Sequence, residues 1–192
     1  MRTAMGVALL VMDVQQGTVE RFGDEVLLDR LARAVAAARG ARIPVVFVRV
    51  AFRPGFPEVS ANNRTFSLLA ETAGDAFGVD SPGTRIHPAV APLPGEPVVL
   101  KKRVSAFVGS DLDVVLRSLG VSHLVLTGIA TSGVVLSTLR EAADRDFQLT
   151  VLADACADGD AEVHRVLTEK VFPRQADVVS VAQWVDDLAA HR

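Results

Sequence analysis

Several residue types are scarce or missing in this sequence of 192 residues. It has one cysteine and no tyrosine, and its 20 lysines and arginines against 23 aspartates and glutamates give a net charge of −3. A lone cysteine cannot form an internal disulfide, so we expect a reducing, cytoplasmic location. The absence of excess positive charge argues against binding to nucleic acid or to anionic membranes. The longest early apolar run, residues 4–12, is too short to cross a bilayer.

Hydrophobic residues, by contrast, are abundant: they make up 49% of the chain against 22% charged residues, which predicts a large buried core. Short apolar runs without polar alternation are interspersed with helical patterns, which is typical of a parallel sheet covered by helices. The sequence therefore predicts an α/β fold, a three-layer α/β/α sandwich forming one domain over residues 1–192. The predicted strands cover residues 7–12, 45–50, 98–100, 124–127, 149–152 and 178–179, and the predicted helices about 24–39, 111–119, 131–145, 161–171 and from 181 onward.

The segment 52–97 is the irregular part of the sequence, with seven prolines. It is too long for a plain connection in a compact domain, and long loops of this kind usually shape a binding site. We therefore expect it to border the functional site.

Three places carry residues that could do chemistry at the carboxyl ends of parallel strands, where ligands bind in this architecture. Asp13 directly follows the first strand, and Lys101 and Lys102 follow the third. The loop 128–134, of small residues, feeds a helix whose free amides could stabilise an oxyanion. Each feature also has a simple structural explanation. Asp13 can cap a turn, Lys101 and Lys102 can be solvated on the surface, and the loop 128–134 can be a tight turn.

Other chemistries have weaker support. The four histidines are scattered without metal-ligand spacing, so we expect no metal and no cofactor. Ser132 does not lie in a Gly-x-Ser-x-Gly elbow, and Cys156 lies among alanines, which is typical of an inert thiol.

Taken together, three motifs resemble those of the isochorismatase-like (cysteine hydrolase) superfamily. They are Leu-Val-Met-Asp-Val-Gln at 10–15, Lys101 four residues before Ser-Ala-Phe at 105–107, and Thr-Gly-Ile-Ala-Thr-Ser-Gly-Val at 127–134. The resemblance implies a Rossmann-like, six-stranded parallel sheet of order 3-2-1-4-5-6. It also implies a homo-oligomer, either a dimer or a tetramer, and a cis peptide bond between Ile129 and Ala130.

The resemblance assigns catalytic roles to Asp13 and Lys101. At one further position, however, this sequence lacks the residue that the superfamily's amidases use. Amidases of the superfamily use an aspartate, a lysine and a cysteine six residues after the loop glycine, and here that position is Val134. A valine can neither ionise nor form an acyl-enzyme. The similar isochorismatases also lack this cysteine and use the aspartate as an acid. Their substrate contacts are not reproduced here, since Val50-Ala51-Phe52 and Ala130 replace a polar amide and an aromatic residue.

Two main hypotheses follow. In the first, the chain is a hydrolase that cleaves a vinyl ether, ester or amide of a small molecule without a cysteine nucleophile. Asp13 then acts as general acid or base with Lys101, and the backbone amides of Ala130 and Val134 donate hydrogen bonds to an oxyanion. In the second, it is an inactive small-molecule-binding homologue. A third possibility is catalysis through Ser132 or Cys156. The expected substrate contacts are Gln15, Phe52, Phe107, Thr131, Ser132 and Gly133.

Overall fold

A computed structural model describes residues 6–190 of the chain. Six parallel strands form one sheet in the order β3-β2-β1-β4-β5-β6. This confirms the predicted fold class and the strand order implied by the resemblance. The strands are β1 Val7–Met12, β2 Val45–Val50, β3 Val98–Lys101, β4 His123–Ile129, β5 Gln148–Ala157 and β6 Asp177–Val179.

Residues 6–190 also form seven α-helices. They are α1 Gln16–Phe22, α2 Glu25–Gly40, α3 Arg64–Ala73, α4 Leu112–Ser118, α5 Leu136–Asp144, α6 Ala161–Val166 and α7 Val181–Ala190. No helix within residues 6–190 is long and apolar enough to span a membrane.

Side chains alternate along the central strand β1 between two separate hydrophobic layers. Leu10 and Met12 belong to the layer under α4 and α5, whereas Leu9 and Val11 belong to the layer under α2 and α7. Because both layers are apolar, the strands read as continuous hydrophobic runs, and this is why the sequence pattern predicted them well.

Helix ends also follow local chemistry. The Asp24 side chain accepts a hydrogen bond from Leu27 N at 2.7 Å and so caps α2. Ser180 and Gln183 exchange side-chain to backbone hydrogen bonds at the start of α7, which is the capping box that the sequence indicates.

The structure differs from the sequence prediction in three places. The segment after β1 forms the short helix α1, and the proline-rich segment 52–97 contains α3 and three 3₁₀ turns, Gly74–Phe77, Pro82–Thr84 and Pro88–Val90. The predicted helix 131–145 begins with a π turn, Thr131–Val135, before α5. Short helices without a clear apolar stripe give little periodic signal, which explains why α1 was missed.

Candidate active site

Asp13 lies at the carboxyl end of β1, in the centre of the sheet. It adopts a left-handed backbone conformation with φ of 54°, which aspartate tolerates better than most residues. Its side chain is 10% exposed and its Oδ2 atom lies 2.8 Å from Lys101 Nζ. The structure thus joins the two residues to which the resemblance assigns catalysis.

Lys101 is held from several sides. Its side chain is 3% exposed, and its Nζ donates hydrogen bonds to the carbonyl oxygens of Arg103 at 2.9 Å and Val104 at 3.2 Å. These carbonyls follow β3 directly, so the strand end and the next turn together fix the ammonium group against Asp13. A buried ammonium with three oxygen partners is well oriented for an electrostatic role.

The second oxygen of Asp13 has no such partner. Oδ1 is buried and accepts no hydrogen bond from the residues that the structure describes. Burial raises the pKa of the Asp13 carboxyl above its ordinary value, although the charge of Lys101 and its hydrogen bond act in the opposite direction. Asp13 therefore keeps a proton more readily than an exposed aspartate does.

The loop after β4 begins where two backbones come very close. Gly128 has φ of 138°, and a Cβ atom there would overlap the carbonyl of Met12, so only glycine fits. The next peptide bond, between Ile129 and Ala130, is cis.

The backbone N–H groups of this loop differ in whether they already donate a hydrogen bond. Ser132 N donates a 2.7 Å hydrogen bond to Asp158 Oδ2, and Gly133 N and Val135 N donate to the carbonyl oxygen of Ala130. Ala130 N has no backbone partner within residues 6–190. Within the described residues the N–H of Ala130 thus lacks a backbone acceptor, whereas Ser132 N is already hydrogen-bonded.

Val134 fills the position where amidases of the superfamily carry their nucleophile. It is 2% exposed and belongs to the hydrophobic layer that also holds Met12, Ala106 and Phe107. Its environment is therefore that of a core residue.

Cys156 pairs with Gly128 in the β4–β5 ladder. Burial raises the pKa of its thiol to about 12, so the reactive thiolate is scarce at neutral pH. It lines a cavity of about 330 Å³ with Asp154 and His164, and neither Asp13 nor Lys101 lines that cavity.

The remaining predicted contact residues have mostly structural partners. The Gln15 side chain donates to the carbonyls of Val50 and Thr84 and accepts from Val50 N, so its amide ties β2 to the segment 52–97. Phe52 is fully buried, and its ring packs 5.4 Å from the ring of Phe56. Phe107 packs in the core near Arg145, whose guanidinium lies 4.7 Å from the ring centre.

The hydrogen bond between Thr131 and His164 was not anticipated from the sequence. Thr131 is fully buried and its Oγ1 lies 2.8 Å from His164 Nδ1, while Ser132 is exposed. This bond fastens the loop to α6, and the hydrogen bond between Ser132 and Asp158 fastens it to the segment between β5 and α6. The two partners are 33 residues apart, and no local pattern in the sequence points to them. Among the described residues, no three His, Cys, Asp or Glu side chains are grouped to hold a metal.

Comparisons with known proteins place this geometry in a family. Residues 7–183 match the model of the isochorismatase domain. The chain is 34% identical over 204 residues to a protein named ureidoacrylate amidohydrolase RutB from Methylobacterium radiotolerans, covering 95% of this chain and 76% of the relative. It is 30% identical over 191 residues to the uncharacterized isochorismatase family protein YecD of Escherichia coli O157:H7, covering 96% and 97%.

A solved structure agrees with these matches. An isochorismatase family protein from Burkholderia thailandensis superposes with a TM-score of 0.81 at 28% identity, covering 95% of both chains. The family match, the identities and the shared fold extend over nearly the whole chain. This chain belongs to the isochorismatase family of hydrolases.

Proposed function

We propose that the chain hydrolyses a vinyl ether, ester or amide bond of a small molecule without a cysteine nucleophile. In this proposal Asp13 is the general acid or base, Lys101 is its electrostatic partner, and the Ala130 and Val134 amides stabilise developing negative charge. The observation that carries the proposal is the buried ion pair of Asp13 and Lys101 with one carboxylate oxygen left unpartnered. Buried carboxyls with shifted pKa values cluster at catalytic sites.

The two oxygens of Asp13 support different tasks. Oδ2 faces the Lys101 ammonium at 2.8 Å, which fixes the orientation of the carboxyl group. Oδ1 has no hydrogen bond among the described residues, so it is available to deliver a proton to the substrate. Because burial raises its pKa, Asp13 holds that proton more readily, and Lys101 stabilises the carboxylate that remains after transfer.

Water supplies the attacking oxygen in this scheme. Val134 offers no nucleophile, and the raised pKa of Cys156 keeps its thiol protonated. With a vinyl ether, Asp13 protonates the alkene carbon, water adds to the resulting oxocarbenium carbon and returns a proton to Asp13, and the C–O bond of the hemiketal then breaks to release an alcohol and a carbonyl product. With an ester or amide, Asp13 acts as the base that takes a proton from the water as it adds to the carbonyl carbon, and it passes this proton to the leaving oxygen or nitrogen as the C–O or C–N bond breaks. The free N–H of Ala130 donates a hydrogen bond that stabilises the negative charge on the carbonyl oxygen of the substrate.

The relatives give further support to an amide bond as the target. The Methylobacterium relative is named an amidohydrolase. The chain also has the aspartate and the lysine of the motifs quoted above, and this supports the electrostatic part of an amidase mechanism. We further propose that the protein is a homo-oligomer, a dimer or tetramer, whose molar mass light scattering measures, and that it is cytoplasmic, which cell fractionation tests.

Replacement of Asp13 tests the proposed role. In a panel of small vinyl ethers, esters and amides, we expect Asp13→Asn to lower kcat of the best wild-type substrate by about 10²- to 10⁴-fold, the range of general acid–base catalysis. A matched control is Asp113→Asn, which replaces a partly exposed aspartate paired with Arg117 and Arg145; we expect it to keep wild-type turnover. Wild-type turnover in a folded Asp13→Asn protein would refute the role of Asp13.

One observation favours a second candidate function, that of a binding protein without turnover. Val134 is only 2% exposed and packs with Met12, Ala106 and Phe107, so the position of the lost nucleophile has become part of the core. This candidate predicts that small molecules bind the wild-type protein in calorimetry but that none of the panel is hydrolysed.

A further inference from the structure

The segment that follows β3 holds the ammonium group of Lys101. Two carbonyl oxygens in this segment, those of Arg103 and Val104, accept hydrogen bonds from Lys101 Nζ at 2.9 and 3.2 Å. Residues 102–107 lie outside the helices and strands of the structure. Because no regular element fixes this segment, its side-chain contacts decide where the two carbonyls lie.

Ser105 ties this segment to α5. Its Oγ donates a hydrogen bond of 2.5 Å to Glu141 Oε2 and accepts one from Phe107 N at 3.2 Å. A hydroxyl that donates to a carboxylate forms a shorter and stronger bond than one that donates to a neutral group. Ser105 is buried and directly follows Val104. The bond to Glu141 therefore acts next to a carbonyl that orients Lys101.

Glu141 is itself held in one orientation. Its other oxygen, Oε1, lies 2.7 Å from Arg145 Nη2, and Arg145 also lies 3.3 Å from Asp113. The two oxygens of Glu141 thus have separate partners, Ser105 and Arg145. Because the Glu141 side chain is only 24% exposed, its bond to Ser105 is largely shielded from water. A carboxylate fixed in this way keeps the Ser105 hydroxyl at a defined position.

The helix α5 connects these contacts with the rest of the site. Glu141 lies three residues after Thr138, on the same face of the helix. The fully buried Thr138 accepts a hydrogen bond from Ala106 N at 3.0 Å, so the segment 102–107 is tied to α5 at two points. The helix also continues directly from the π turn Thr131–Val135. One helix therefore joins the loop after β4 to the segment that holds Lys101.

We propose that Glu141 is a positioning residue that fixes the ammonium of Lys101 against Asp13. It acts through Ser105 and the segment around it, and not through contact with the substrate. The inference rests on the proposed function for the reaction that the pair performs. The contact between Lys101 and Asp13, however, is measurable without turnover.

The pKa of Asp13 distinguishes positioning from two simpler roles. Burial raises this pKa most, and the charge and the hydrogen bond of Lys101 lower it. If Glu141 holds Lys101 in place, its loss weakens that contact and raises the pKa of Asp13. If Glu141 acted only as a distant negative charge, its loss would lower the pKa, because a like charge disfavours the carboxylate. A role in stability alone would leave the pKa unchanged.

Carbon-13 NMR titration of the Asp13 carboxyl in the full chain measures the effect. We expect Glu141→Leu to raise the pKa of Asp13 by about half a pH unit or more, a part of the roughly one to three units that a neighbouring charge causes. Glu141→Gln should keep a pKa close to that of the wild type, because its amide group still forms a hydrogen bond with Ser105 Oγ. The matched control is Glu162→Leu, which removes another helical glutamate paired with an arginine, Arg165, and should keep the wild-type pKa.

Ser105→Ala tests the same path from its other end, and it keeps the inference testable if Glu141→Leu does not fold. We expect it to raise the pKa of Asp13 by the same amount as Glu141→Leu. The double variant should show no further rise, because both changes break the same hydrogen bond. An unchanged or lowered pKa in either folded single variant, or additive rises in the double variant, would overturn the inference.

Turnover of the best substrate from the panel of vinyl ethers, esters and amides separates this inference from the proposed function. We expect Glu141→Leu to lower kcat about tenfold with little change in KM, a part of the effect of general acid–base catalysis, and Glu141→Gln to restore kcat. A raised pKa of Asp13 in Glu141→Leu supports the positioning role even if no substrate is cleaved. An unchanged pKa in Glu141→Leu, with turnover that is lost in Asp13→Asn, would refute the positioning role and leave the proposed function standing.

Discussion

The two ends of the candidate site bury groups of opposite character. At the end of β1, Asp13 and Lys101 bury a pair of charges 2.8 Å apart. At the start of the helical segment after β4, Val134 buries an aliphatic side chain in the core. Burial of a valine stabilises a fold by about 1.5 kcal/mol or more, whereas a buried ion pair is often no better for stability than an apolar pair.

This difference supports a functional role for the ion pair of Asp13 and Lys101 and not for Val134. Val134 needs no explanation beyond packing, because an apolar residue at a buried position stabilises the fold. The ion pair does need one, since two charges at the centre of an apolar sheet are costly to desolvate and one oxygen lacks a hydrogen bond. A site that served only packing would not require the pair.

After the replacement of Asp13, the largest expected effect comes from removal of the Lys101 ammonium. We expect Lys101→Met to lower kcat by about 10²-fold or more, because the developing carboxylate loses its electrostatic partner. The variant should also raise the pKa of Asp13 further, since it removes the charge that lowers that pKa. Carbon-13 NMR titration of the Asp13 carboxyl measures the shift.

Lys102 offers the matched control for that variant. It is the neighbouring lysine on the same strand end, but its Nζ bonds the Ala51 carbonyl rather than Asp13. We expect Lys102→Met to leave the pKa of Asp13 close to its wild-type value. A similar shift in both variants would show that Lys101 has no specific effect on Asp13.

A smaller effect concerns the pH dependence of stability. Burial raises the pKa of Asp13 in the folded protein above the ordinary value of 3.8. Between these two pKa values the folded state holds a proton that the unfolded state has released, so stability falls as the pH rises through this window. Relative to Asp13→Asn, the wild-type free energy of unfolding should therefore decrease as the pH increases above about 4.

Urea denaturation of the two proteins at a series of pH values measures this difference. Asp113→Asn serves again as the control, because its arginine partners lower the pKa of Asp113: relative to this variant, the wild-type free energy of unfolding should increase with pH below about pH 4 and stay level above it. A wild-type free energy of unfolding that increases with pH relative to Asp13→Asn would contradict the assignment of a raised pKa.

Most of the fold follows from local patterns. The strands are buried on both faces, so their apolar runs are visible without any knowledge of the tertiary structure, and the positions of Asp13 and Lys101 at strand ends follow from them. The helices α1 and α3 were missed, because short segments near prolines and glycines carry little periodic signal.

The details of the site depend on contacts between distant segments. The sequence motifs identified Asp13 and Lys101, yet the unpartnered Oδ1 atom depends on how the neighbouring segments pack. Gln15 was expected to contact substrate, but its amide bonds residues 35 and 69 positions away. Folding alone likewise brings Thr131 to His164. It also brings Glu58 to Arg53 and Lys102.

Turnover by the variant Cys156→Ala tests most directly that the site works without a cysteine. Cys156 is the only cysteine of the chain, and its replacement leaves Asp13, Lys101 and the loop after β4 in place. The account predicts that Cys156→Ala keeps the kcat of the wild-type protein on the same substrate. Loss of turnover in a folded Cys156→Ala protein, with substrate binding retained, would contradict it.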